Sequence, residues 1–78
     1  MPTVLRWNGY RFSFWSNEGR EPPHVHVTQA ERYAKFWLQP VTLVRNRGFR
    51  NSEVTEVHHI IEQHLSELLA AWNEHFSP

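Results

Sequence analysis

The stretch EPPHVHV, residues 21–27, sets His24 and His26 one residue apart. Imidazole has a pKa of about 6.5, so two histidines can divide general-acid and general-base work at neutral pH. With arginine nearby to stabilise a pentacovalent, phosphorane-like charge, the chemistry that fits is metal-independent RNA cleavage with the 2′-hydroxyl as nucleophile. His26 to Thr28 matches one half of the His-x-Thr pair of two-histidine phosphoesterases. The second half has no counterpart in the chain, and that family is not assigned.

Metal ligation is the other chemistry open to the pair. On a strand, His-x-His places both imidazoles on one side about 6–7 Å apart, a separation two ligands of one ion can manage. HVHVTQAE, ending at Glu31, also matches the opening His-x-His-x4-Glu of cupin metal sites. The later glycine-and-histidine half of that pattern is absent, and 78 residues are too few for a cupin barrel. A catalytic zinc site needs three protein ligands, and the obvious third donors are Glu21 and Glu31. The expectation is therefore no metal and no cofactor. Nucleophilic hydrolysis is poorly served, since the chain has no Cys and no Asp. Among the remaining histidines, His58, His59, His64 and His75, no two are four apart. They read as surface or partly packed residues, with His58 and Glu62 as an i,i+4 pair.

The elements that must position these residues follow from patterning. TVLRW (3–7) and YRFSFW (10–15) flank Asn8–Gly9, a strong hairpin signal because both residues accept positive φ. SNEGREPP is a polar loop, and HVHVTQ restarts the alternation after Pro22 and Pro23, which cannot donate to a ladder. AERY reads as a turn, AKFWLQ as a fourth strand ended by Pro40, VTLVR as a short fifth strand, and NRGFR as a turn around Gly48. The strands thus fall within residues 2–45. From about 52 to 76, Val54, Val57, Ile61, Leu65, Leu68 and Trp72 follow steps of three and four, one helical stripe without Gly or Pro. A helix of about 24 residues spans about 36 Å. The expected fold is α+β, one domain over 1–78: an antiparallel sheet of four to five strands with one long C-terminal helix packed on one face.

Strand parity then divides the side chains. Tyr10, Phe12, Phe14, Val25, Val27, Ala34, Phe36 and Leu38 form the face for the helix. Arg11, Trp15, His24, His26, Lys35 and Trp37 form the other, with Arg6 at its edge. A face of cations, imidazoles and indoles suits base stacking. The alternative is that Trp15 and Trp37 pack on each other or under the SNEGREPP loop while the histidines hydrogen-bond nearby backbone.

Composition bounds the rest. With no cysteine there is neither a disulfide nor a thiolate metal site. Stability must come from burying the aromatic residues that make up 14% of the chain. No apolar run approaches the roughly 20 residues of a membrane helix, and no hydrophobic run follows a basic head, so a cytoplasmic protein without signal peptide or membrane contact is expected. The zero net charge hides a division: all eight cations, seven of them Arg, lie at or before Arg50 against three glutamates (8 − 3 = +5), and five glutamates follow it. The two halves can neutralise each other, or the basic half can face an anionic partner.

The segments MPTVLR, NGYRFSFWSNEG, EPPHVHV, AKFWLQPV and NRGF resemble the bacterial domain-of-unknown-function family 4160, from Met1 to the end of the C-terminal helix. EPPHVHV and AKFWL are the specific parts of the resemblance; the helix is generic. It implies a small stand-alone protein encoded beside a second small gene in a toxin–antitoxin-like pair. It maps the family's characteristic residues onto Asn8, Gly9, Glu21, Pro22, Pro23, His24, His26, Lys35, Trp37 and Gly48, and carries over no catalytic role. The expected function is a component of such a module that contacts RNA. Arg6, Arg11 and Lys35 hold phosphates, Trp15 and Trp37 stack on bases, and His24 and His26 read or cleave the strand. The alternative is a protein-interaction module without chemistry, docking the small protein encoded beside it.

Overall fold

The computed structural model describes residues 3–15 and 18–76. Pro2, where the strands were expected to begin, and Ser16 and Asn17 of the SNEGREPP loop lie outside the described residues. Five strands run in sequence order across one antiparallel sheet: β1 Thr3–Trp7, β2 Tyr10–Ser13, β3 His24–Gln29, β4 Arg32–Leu38 and β5 Val41–Arg47. The β1–β2 connection is the expected Asn8–Gly9 turn, with φ of 51° and 83°, as a two-residue hairpin with both central residues left-handed requires. The β3–β4 turn is shorter than AERY: Gln29 already pairs with Arg32, leaving Ala30 and Glu31 to connect the strands. β5 runs two residues past the expected limit of 45. Gly48 at φ +96° then turns the chain, and a Cβ there would stand 2.9 Å from the Arg32 side chain.

The helical half corrects the expectation of one long helix. Two helices are present, α1 Asn51–Gln63 and α2 Leu65–Phe76, with His64 between them at φ −111°, ψ 18°. The hydrogen-bond ladder does not stop there. The His64 N–H is shared between Ile60 O (3.1 Å) and Ile61 O (3.2 Å), and Leu68 N–H donates back to His64 O at 2.9 Å. The break is thus local, and the Trp7 ring lies beside it, 4.9 Å from the His64 ring. Neither Gly nor Pro stands at it. α1 is started by Glu53, whose Oε1 accepts the Arg50 backbone N–H at 2.8 Å and whose Oε2 accepts from Arg32 at 2.8 Å.

The core lies between the helices and one face of the sheet. Tyr10, Phe12, Phe14, Val25, Val27, Ala34, Phe36 and Leu38 are buried against Val57, Ile60, Ile61, Leu68 and Trp72. Each large apolar side chain so buried contributes about 1.5–3 kcal/mol. Phe14 and Trp72 meet edge to face at 5.3 Å, an arrangement worth a further ~1 kcal/mol. No helix among the described residues is long and apolar enough to cross a membrane.

Candidate functional site

Cross-strand register defines the second face. Residues directly opposite each other point the same way. One row reads Arg6–Arg11–Thr28–Tyr33–Arg47, a second Ser13–His26–Lys35–Arg45, and a third His24–Trp37–Thr42. His24, His26, Lys35 and Trp37 therefore share the side away from the core residues. What alternation does not tell is what covers them. His24 is 0% and His26 2% exposed, because the loop before β3 folds over them and Trp72 of α2 packs against His24.

Glu18, on that loop, is the centre of the arrangement. Its Oε1 lies 2.8 Å from His24 Nε2 and 2.6 Å from His26 Nε2. The remaining ring nitrogens are also engaged: His24 Nδ1 donates to Pro22 O at 2.9 Å, and His26 Nδ1 meets the Tyr33 hydroxyl at 2.8 Å. Trp15 lies flat on His26, with ring centroids 3.7 Å apart and planes 11° from parallel, and Tyr33 sits beside both. His24 is boxed between Trp37 at 5.6 Å and Trp72 of α2 at 5.0 Å. Among the described residues no buried side-chain nitrogen or oxygen lacks a partner.

The electrostatics follow. Burial pushes the His26 pKa below the usual imidazole value, outweighing the Glu18 carboxylate that would raise it. Burial alone would raise Glu18, but the hydrogen bonds from His26 and His24 outweigh it and hold the carboxyl below its usual range. Burial likewise raises Tyr33, against the opposing pull of Arg45 and Arg47. The donor atoms of Glu18, His24 and His26 all lie within 4.8 Å of one another, close enough for one metal ion.

The expected site residues thus divide. His24, His26, Trp15, Trp37 and Lys35 come together. Lys35 donates to Glu21 at 2.7 Å and lies over the Trp37 ring at 4.9 Å. Arg6 and Arg11 stand apart as an exposed cross-strand pair lining a polar recess of about 240 Å³ with Gly9, Thr28, Gln29 and Ala30. Between the basic and acidic halves, Arg32–Glu53 is the one Arg–Glu ion pair among the described residues. None has a carboxylate within 4.0 Å of Arg6, Arg11, Arg45 or Arg47. His58 does pair with Glu62, at 3.3 Å.

Sequence reasoning missed Glu18, Tyr33, Arg45 and Arg47 as site residues, and it placed Trp72 on the helical stripe without its contact to His24. Parity would have found Tyr33, two residues before Lys35, had AERY not been read as a turn. Arg45 and Arg47 lie beyond a register shift between Lys35 and Phe36, which breaks simple alternation. Glu31, the candidate third donor, sits in the β3–β4 turn at the far end of the strand from His24.

The family model described as Domain of unknown function (DUF4160) matches residues 9–73. The chain belongs to that family. No curated protein and no solved structure matches it. The DUF4160 match takes in the whole Glu18–His24–His26 cluster with Trp15, Tyr33, Lys35 and Trp37, and Arg11, Arg45 and Arg47 of the basic rows; Arg6 lies before it.

Proposed function

We propose that this protein binds RNA through the sheet face away from its helices, as the nucleic-acid-contacting member of the toxin–antitoxin-like pair that its family resemblance implies. The observation that carries this reading is the set of exposed arginines with no carboxylate partner among the described residues, Arg6, Arg11, Arg45 and Arg47, flanking a centre of aromatic rings. Like charges directly opposite on neighbouring strands, as Arg6 and Arg11 are, destabilise a sheet, and a phosphate between them removes the penalty. Guanidinium groups suit that task because they grip phosphate oxygens in pairs. The row from Arg6 to Arg47 crosses four inter-strand steps, about 19 Å at ~4.8 Å each, enough for several phosphates of one strand. Trp15 and Trp37 are half-buried and offer their outer surfaces to bases. Cleavage by His24 and His26 requires the Glu18 loop to open first, since neither ring reaches solvent.

The test is RNA affinity as a function of salt. Binding should weaken steeply with added salt, and Arg6→Ala with Arg11→Ala should flatten the log–log slope by about two. Salt-insensitive or absent binding would favour the second reading, a protein-interaction module. That reading has its own observation: β5 is an open sheet edge with Leu43 39% and Val44 42% exposed, a surface on which a partner strand could pair.

A further inference from the structure

Hydrogen bookkeeping at His24 leads to a site that RNA binding does not explain. The Pro22 carbonyl only accepts, so His24 Nδ1, 2.9 Å away, carries the hydrogen. A neutral imidazole then has its lone pair on Nε2, and that lone pair faces Glu18 Oε1 at 2.8 Å. Two lone pairs held that close need a positive charge between them, either an extra proton or a metal cation. His26 Nε2 is 2.6 Å from the same oxygen, and its Nδ1, 2.8 Å from the Tyr33 hydroxyl, donates to or accepts from that hydroxyl according to tautomer. In the tautomer that donates to Tyr33, both Nε2 lone pairs converge on one carboxylate. Metal-binding imidazoles are held in this way, the non-ligating N–H fixed by a carbonyl or another outer acceptor.

The geometry points to a divalent transition-metal site of the zinc class, with His24 Nε2, His26 Nε2 and Glu18 Oε1 as ligands and a fourth position left to water. Two histidines and a glutamate form a donor set that catalytic zinc sites use. The imidazoles are fixed by β3, which is paired on both sides. Glu18 stands outside the strands and supplies the adjustment. Its oxygen must retreat from 2.6–2.8 Å to the roughly 3.3 Å that separates ligand atoms at ~2.0 Å bonds in tetrahedral zinc. Glu21 does not compete: its Oε1 is 4.0 Å from the wrong nitrogen of His24 and 2.7 Å from Lys35. That same pairing offsets the Lys35 charge that would otherwise repel a cation. The inference is independent of RNA binding.

The test is titration of the full chain, stripped of metal with a chelator, with Co²⁺ and then Zn²⁺. One equivalent of Co²⁺ should develop the visible absorption of a tetrahedral N/O site, and Zn²⁺ should displace it. In imidazole-resolved nitrogen NMR of the wild-type protein, Nε2 of His24 and His26 should shift with Zn²⁺ while His24 Nδ1 keeps its hydrogen. Tyr33→Phe should weaken binding by about tenfold, and Glu18→Gln by more. Zn²⁺ that leaves both Nε2 signals unmoved would overturn the assignment. So would binding that survives Glu18→Gln at full strength, or that disappears only when His58 and His59 are replaced. The NMR arm uses wild-type protein, so it decides the matter even where a variant does not fold.

Discussion

The two faces of the sheet are both buried near their centres, but by opposite means. Under α1 and α2, Phe12, Phe14, Phe36 and Ile61 are closed off mainly by apolar contact, with the His75 and His58 rings beside Phe14 and Phe36. On the other face, His24 and His26 are closed off by one loop carboxylate, one carbonyl, one phenol and three indoles, one of them Trp72 of α2. Apolar burial is non-directional and scales with area. Polar burial is conditional: it holds only while every donor and acceptor keeps its partner, and removing one leaves the others costly. The helix face is therefore tolerant in detail and expensive to empty. The histidine face is inexpensive as built and sensitive at single atoms, which is the behaviour of a site.

The largest expected effect lies on the helix face. Phe36→Ala should cost about 3–5 kcal/mol, a large share of what a domain of this size has to lose, and denaturant melts should show the chain largely unfolded. A well-folded variant would mean that the apolar face is not where the stability resides. Next comes Glu18→Ala, which strands both Nε2 atoms. We expect a loss of about 1–3 kcal/mol, seen as a lower melting temperature with changed Trp15 fluorescence. The sheet itself should survive, so far-ultraviolet circular dichroism should keep its shape. Global unfolding by this substitution would erase the distinction between the faces.

The helix face was legible in the sequence because it obeys two periods. Alternation sorted Tyr10, Phe12, Phe14, Val25, Val27, Ala34, Phe36 and Leu38 onto one side, and steps of three and four found Val57, Ile61, Leu68 and Trp72. The break at His64 was not legible, because no Gly or Pro marks it. On the second face, parity put the two histidines beside Trp37 and Lys35, but a period says only which side a residue points to. Burial of His24 and His26 depends on where Glu18 lands, six and eight residues upstream along a loop with no repeat. The shift in the β4–β5 register hid Arg45 and Arg47 in the same way.

Tyr10 sharpens the comparison, since it is the polar exception on the apolar face. Its hydroxyl donates to Glu56 Oε1 at 2.7 Å. Burial first, and this hydrogen bond second, push its pKa up to about 12. An unfolded tyrosine ionises near ~10, so the unfolded chain gives up its proton first. The stability Tyr10 contributes is thus present below about pH 10 and lost as the pH rises to about 12. Tyr10→Phe should cost ~1 kcal/mol at neutral pH, and chemical denaturation repeated at rising alkaline pH should show that gap closing. A gap that widens would place the phenol's stabilising partner elsewhere.

The smallest expected effect falls at the rim of the histidine face and bears on what that face is for. Arg6 and Arg11 are exposed, stand opposite each other, and touch no carboxylate among the described residues. Replacing both with Ala removes a repulsion and no contact that the fold uses. Stability should therefore change by no more than ~0.5 kcal/mol, and in the stabilising direction at low salt, where screening is weakest. Calorimetric melts at low and high salt decide this. If the double substitution lowers the melting temperature by several degrees, the arginines are structural and the phosphate-binding role loses its main support.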